Sequence, residues 1–198
     1  VVEYEAPWWD EIYDLTLKLA EMIMEDGFKP DIIVGIARGG WVVARLLSDF
    51  LKNPNTANLK IEFYKGIAET AEKPVITQPV SADVKGKNVL ICDDVADTGH
   101  SLRVAFEHIK ELGAKEIKVA TLHLKPWSIF KPDFYVKETR AWIIYPWEIR
   151  ETIEKIASDL EKEGKSEEEI LEALRTTNIK PRLIEYFYEL YKRQKEKE

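Results

Sequence analysis

Residues 89–101 read Val-Leu-Ile-Cys-Asp-Asp-Val-Ala-Asp-Thr-Gly-His-Ser, so an apolar run leads directly into a stretch of carboxylates, hydroxyls and a glycine. That order of types suits the binding of a phosphorylated sugar. The apolar run 89–92 fits a parallel strand covered on both faces, and the change to Asp93 and Asp94 marks its expected carboxyl end, where open α/β sheets bind ligands. Asp97, Thr98, Gly99, His100 and Ser101 then form a turn that opens a helix predicted over 102–112. Amides at such a helix start are unpaired and carry about half a positive charge, which favours a phosphate without recruiting lysines. Adjacent carboxylates at ~4 Å repel by about 4 kcal/mol at an effective dielectric of 20. Ribose hydroxyls donating to Asp93 and Asp94, with a magnesium ion nearby, offset that repulsion. An isolated Asp-Asp would read more simply as a solvated turn behind a helix cap; the complete order of types favours the sugar phosphate.

A second constellation is Ala37-Arg38-Gly39-Gly40. Successive glycines let backbone amides approach an oxyanion closely, and Arg38 adds a charge that does not titrate away, a combination suited to pyrophosphate. A third is Lys125, just past a strand, with the run Trp142-Ile143-Ile144-Tyr145-Pro146-Trp147-Glu148. Here an indole could stack on a flat heterocycle, an ammonium could donate to a ring carbonyl, and the backbone at Ile143 could read the ring edge. The three histidines, His100, His108 and His123, share no metal-ligand spacing, so neither zinc nor a Ser-His-Asp arrangement is expected. Cys92 lies within the apolar run and reads as a buried hydrophobe rather than a nucleophile.

The elements that must position these residues alternate. Apolar residues at helical spacing (Ile12, Leu15, Leu19, Met22 and Ile23) predict a helix over 8–25 stopped by Gly27. A buried strand follows over 31–36, the 37–40 loop, a helix over 41–51 and a strand over 59–64. Residues 65–80 carry two prolines and no clear period, and read as one long loop. The 89–92 strand, a helix over 101–112 stopped by Gly113, and a strand over 116–122 complete a pattern that calls for a parallel sheet. Beyond residue 149 the chain is charged and helical. Ser166 and Glu169 form a capping start there, and Leu171, Leu174, Leu183, Tyr186, Phe187 and Leu190 supply apolar positions; 192–198 should fray.

With 198 residues and 45% hydrophobic content, the chain is long enough for one compact domain, 1–198, around a core at about 31–148. A net charge of −7 opposes a nucleic-acid or anionic-membrane surface. One cysteine, the lack of any 18-residue apolar stretch and an amino end unlike a secretory signal point to the cytoplasm. The apolar terminal helices make a homodimer or homotetramer the expected assembly.

The order of four apolar residues, Asp93-Asp94, two apolar residues and the 97–101 loop resembles the signature of the type I phosphoribosyltransferases. Only Ala96 departs from it, being smaller than the usual aliphatic residue. That resemblance implies an α/β fold with a parallel central sheet flanked by helices, a small hood and, here, a helical C-terminal extension. It also implies that Asp93 and Asp94 bind the ribose hydroxyls of 5-phosphoribosyl-1-pyrophosphate, that Ala96, Asp97, Thr98, Gly99, His100 and Ser101 hold its 5-phosphate, and that Ala37 to Gly40 hold its pyrophosphate. Family members often carry a cis peptide at the Ala37-Arg38 position.

Lys125-Pro126 and the Trp142 run bring the chain closest to the bacterial and archaeal hypoxanthine, guanine and xanthine enzymes over about 31–148. By that resemblance Lys125, Trp142 and Ile143 bind the purine. Asp97 takes the ring proton, and Glu148, where relatives usually carry Asp, joins Asp93 and Asp94 around magnesium. Loop 65–80, with Tyr64 and Lys65 at its hinge, is the expected lid. The implied function is purine salvage from the donor and a 6-oxopurine. Alternatives are a transcriptional regulator of the same fold that senses the donor, and a transferase for adenine or a pyrimidine; Asp97, Lys125 and Trp142 disfavour both.

Overall fold

The apolar segment Ile32–Ala37 forms a strand buried at every position, as a strand covered on both faces must be. The computed structural model describes residues 2–65 and 71–197. In chain order the elements are β1 (Tyr4–Glu5), α1 (Trp9–Asp26), β2 (Ile32–Ala37), α2 (Gly40–Phe50), β3 (Thr56–Tyr64), β4 (Lys73–Gln78), β5 (Asn88–Ala96), α3 (His100–Glu111), β6 (Glu116–Leu124), β7 (Phe134–Glu138), β8 (Trp142–Ile143), α4 (Ile149–Lys162), α5 (Glu167–Arg175) and α6 (Pro181–Lys195). They fall into two compact units, one of residues 13–139 and one of the segments before 13 and after 139.

The first unit is an α/β sheet in the order β4-β3-β2-β5-β6-β7, parallel except for the antiparallel edge strand β4. Because β2 lies between β3 and β5, successive connections leave it in opposite directions, which makes the carboxyl ends of β2 and β5 a topological switch point. Ile32, Val34 and Ile36 share one hydrophobic cluster with Val89, Ile91, Val119 and, from α3, Leu102, Ala105 and Ile109. On the other face, a Cβ at Gly35 would come within 2.9 Å of the Gly40 carbonyl and 3.1 Å of the Ala44 methyl group, so the missing side chain admits α2.

Several sequence expectations change. Residues 65–80 are not one loop: β4 pairs with β3 from Lys73↔Tyr64 to Gln78↔Lys60. Its alternation is weak because an edge strand is half solvated, and Pro74 is tolerated where one side of the strand has no ladder to complete. Residues 66–70, part of the expected lid, lie outside the described residues. Strand β5 does not stop before its acids but continues to Ala96, with Asp93 opposite Thr121 and Ala96 opposite Leu124. Ladder hydrogen bonds to β6 override the change in polarity. Likewise β3 begins at Thr56 and β6 runs to Leu124.

In the second unit β1 and β8 pair in parallel, and α4, α5 and α6 enclose a cluster built on Ile144, Ile149, Ile153, Ile170, Leu174, Ile184 and Tyr188. Ser166 caps α5 through a complete capping box with Glu169. Tyr186 is 64% exposed and is not a core position, since Ile184 and Tyr188 define the inner face of α6. Nor do 192–195 fray: Lys192 pairs with Glu167 and Glu189, and Lys195 with Glu161.

Candidate active site

At the carboxyl end of β2 the chain turns through Ala37, Arg38, Gly39 and Gly40, with a cis peptide between Ala37 and Arg38. The Arg38 carbonyl accepts from Trp41 N at 3.1 Å. The glycines have a packing role that the sequence reading did not assign. A side chain on Gly39 would collide with the Asp94 carboxylate, and one on Gly40 with the Cys92 carbonyl. The β2 turn is thereby pressed against the end of β5, and both loops meet at the switch point.

On β5 the Asp93 Oδ1 accepts from Asp94 N at 2.9 Å, and Asp94 Oδ1 accepts from Val95 N at 2.8 Å. Burial, reinforced by the Asp94 charge beside it, pushes the Asp93 carboxyl well above the usual carboxylate range. Burial also raises the Cys92 thiol, with Asp93 adding to the effect, so Cys92 is an inert core residue rather than a thiolate.

The loop after β5 exposes Asp97, Thr98 and His100 and buries Gly99, whose φ of +85° places it in the left-handed region. A Cβ on Gly99 would meet Phe130 N and Ser128 Oγ at 2.6 Å each. His100 opens α3, one to two residues before the predicted start, and its N–H donates to Thr98 Oγ1 at 3.3 Å.

What braces this loop is the segment after β6, which the sequence reading passed over. Lys125 N donates to the Ala96 carbonyl at 2.9 Å, Ile129 N to the Thr98 carbonyl at 2.9 Å, and Ser128 N closes a turn on the Lys125 carbonyl at 3.0 Å. From that turn Trp127 Nε1 donates to Asp97 Oδ1 at 2.9 Å, while the Lys125 ammonium stands 5.6 Å from the Trp127 ring centroid. The structure therefore joins Asp97 and Lys125, 28 positions apart, through a tryptophan. The available signal was an aromatic inside a Lys-Pro-Trp-Ser turn at a strand end, where core packing has no use for it.

The remaining candidates belong to the second unit. Trp142 is 42% exposed and opposite Tyr4, their ring centroids 6.1 Å apart, and Ile143 is buried. Trp142 N and Ile144 N donate to the Glu3 and Glu5 carbonyls of the β1 segment, so the intervening Ile143 amide points the other way. Glu148 Oε1 accepts from Tyr145 N at 3.2 Å and Glu148 N donates back to the Tyr145 carbonyl, an arrangement that closes the turn into α4. Tyr64 ends β3 and is exposed, as is Lys65.

Among the described residues no three His, Cys, Asp or Glu side chains gather as a metal cluster. His108 Nε2 accepts from Val80 N at 3.2 Å, and His123 is buried in β6. No helix among them is long and apolar enough to cross a membrane. A cavity of about 1340 Å³ lies by the amino end of β2, lined by Phe28, Asp31, Phe50 and Asn53. It is at the wrong end of the sheet for the residues above, since the switch point opens at the carboxyl ends.

An open α/β sheet whose switch point carries an acidic strand end, a helix-opening loop and a glycine turn belongs to the class of α/β proteins that bind ligands at that point. Residues 8–153 match the profile of the phosphoribosyl transferase domain, and the chain belongs to that family. It is 29% identical over 149 residues to the xanthine-guanine phosphoribosyltransferase of Gluconobacter oxydans, covering 74% of this chain and 86% of that one. The hypoxanthine-guanine phosphoribosyltransferase of Schizosaccharomyces pombe is 27% identical, with 79% and 94% covered. Among solved structures, the purine phosphoribosyltransferase of Pyrococcus horikoshii superposes with a TM-score of 0.67 at 44% identity, covering 74% of this chain and 94% of that chain.

Proposed function

We propose that this enzyme transfers the 5-phosphoribosyl group from 5-phosphoribosyl-1-pyrophosphate to a ring nitrogen of a 6-oxopurine, giving the nucleoside 5′-monophosphate and pyrophosphate. The observation that carries this reading is the meeting of the Gly39-Gly40 turn with Asp93-Asp94 at one switch point, one short loop before α3. Backbone amides of 37–40 and the Arg38 guanidinium hold the pyrophosphate. Residues 96–101 take the 5-phosphate at the α3 amino end, where the helix dipole favours an anion. Asp93 and Asp94 accept hydrogen bonds from the ribose hydroxyls. Those donors offset the burial and the neighbouring Asp94 charge that raise the Asp93 carboxyl in the free protein.

The residue set fits magnesium, because Asp93 and Asp94 supply hard oxygen donors, while further ligands must come from the substrate itself. When bound, the ion neutralises negative charge on the departing pyrophosphate. Glu148 is a further candidate for that ion, although one of its oxygens also closes the turn into α4. Lys125 donates to the 6-oxo group, Trp142 offers a stacking face and the Ile143 amide reads the purine edge. Tyr64 and Lys65 frame the lid that excludes water. As the nitrogen bonds to the anomeric carbon, Asp97 takes its proton.

The test is to incubate the protein with magnesium, the donor and guanine, hypoxanthine, xanthine or adenine separately, and to quantify each monophosphate by mass. Product from the 6-oxopurines alone is expected. Turnover of adenine in preference to all three would overturn the base assignment, and donor binding without any product would replace the enzyme with a donor-sensing protein.

A further inference from the structure

We propose that Trp127 is a positioning residue for this reaction: its indole N–H fixes the Asp97 carboxylate through Oδ1, leaving Oδ2 to receive the purine proton, and its ring face seats the Lys125 ammonium. The proposal rests on the reading of Asp97 as the general base. Its observations are geometric. Trp127 Nε1 lies 2.9 Å from Asp97 Oδ1, and Lys125 Nζ lies 5.6 Å from the indole centroid. The indole is 50% exposed, yet its turn is held on both sides, by the Lys125 amide on the Ala96 carbonyl and the Ile129 amide on the Thr98 carbonyl. A large aromatic kept at the surface on a braced turn, with its one polar atom engaged, is built for a site rather than for a core.

The chemistry explains why a tryptophan serves. Asp97 is exposed, and an untethered carboxylate samples several rotamers, whereas proton transfer needs an oxygen held within hydrogen-bond reach of the ring N–H. Indole N–H is a donor only and carries no charge, so it orients the carboxylate without neutralising it. In the step itself the ring proton passes to Asp97 Oδ2, the nitrogen electron pair forms the bond to the anomeric carbon, and the bond to pyrophosphate breaks with its electrons leaving on oxygen. Trp127 keeps its own proton throughout. Through its face the same ring couples the proton acceptor to the residue assigned to the 6-oxo group.

Four variants test the proposal: Trp127→Phe, Trp127→Ala, Asp97→Asn and the Asp97→Asn/Trp127→Phe pair, each assayed for kcat and KM and for thermal stability. Trp127→Phe keeps an aromatic face, though a smaller one, and removes the N–H. Its kcat is expected to fall about tenfold, the scale of one hydrogen bond to a charged group, with the donor KM unchanged and Tm within about 2 °C. The loss shrinks for a 6-oxopurine analogue with a more acidic ring N–H, which demands less of the base. In the Asp97→Asn background the Phe substitution changes the rate by less than about twofold, because its only route to the chemistry is gone. Trp127→Ala also raises the purine KM, since Lys125 loses its platform.

A Trp127→Phe enzyme as fast as the parent while Asp97→Asn is slow removes the Trp127 role and leaves the base assignment standing. Equal losses in both backgrounds also remove it, reducing Trp127 to a packing residue. Full activity of Asp97→Asn on every base overturns the general-base reading, and the Trp127 role falls with it.

Discussion

The carboxyl edge of β5 and the α4–α6 bundle use charge in opposite ways. On β5, Asp93 and Asp94 stand side by side, and burial with mutual repulsion raises the Asp93 carboxyl instead of stabilising an anion. In the bundle, Lys195 and, to a smaller degree, the Tyr191 hydroxyl hold the Glu161 carboxyl below its ordinary range. Lys192 bridges to Glu167 and Glu189, and Ser166 with Glu169 closes a capping box. One region pairs its carboxylates with cations; the other sets two carboxylates side by side, each accepting from a backbone amide. Local electrostatic misfit at a strand end is the feature that singles out β5 as a candidate site.

The largest expected effect that would sharpen this contrast is on chemistry: Asp97→Asn lowers kcat by about 10²–10⁴-fold, read from initial rates of monophosphate formation. Next, Asp93→Asn raises the donor KM by about 10- to 100-fold while stabilising the free protein by about 1 kcal/mol, a Tm gain of about 2–4 °C. The sign with pH follows from the raised native pKa. Asp93 is neutral in both states at low pH, and the wild type loses stability as pH rises from about 4, the ordinary carboxylate value, through its higher native one. The advantage of the variant should therefore vanish in acid and grow toward neutrality. A variant less stable than the wild type at pH 7 would break the comparison.

Gly99→Ala forces a side chain into the left-handed region and onto the Phe130 amide. It is expected to cost about 2 kcal/mol and to weaken donor binding about tenfold, measured by thermal unfolding and calorimetric titration. In the bundle, Ser166→Ala removes the cap for about 1 kcal/mol with turnover unchanged. Smallest is Lys195→Met: the pair with Glu161 is solvent-exposed, so Tm should move less than for Ser166→Ala, and the difference should fade as pH falls and Glu161 is protonated.

Much of this was legible in order and type. The strand read over 31–36, the start of the run 89–92, the glycines at 27 and 113 and the Ser166 cap placed their element ends within a residue or two, because each is decided by local periodicity and turn chemistry. Less legible was β4, an edge strand whose half-solvated pattern and Pro74 give no period. The length of β5 was hidden for a different reason: its acids are held in the ladder by β6, which no local signal records.

What the sequence by itself determined is the inventory of the site: a strand ending in acids, a glycine-led loop opening a helix, a glycine turn one unit earlier, and the alternation that requires a parallel sheet. Those follow from residue types at close spacing. Only the tertiary structure decided how they meet. Gly39 and Gly40 proved to be bare because Asp94 and the Cys92 carbonyl occupy the space beside them. Trp127, absent from any motif, reached Asp97 because the turn after β6 hydrogen-bonds to the Ala96 and Thr98 carbonyls. Contacts between strands and loops far apart in the chain depend on the three-dimensional path of the sheet, and spacing along the sequence carries no record of that distance.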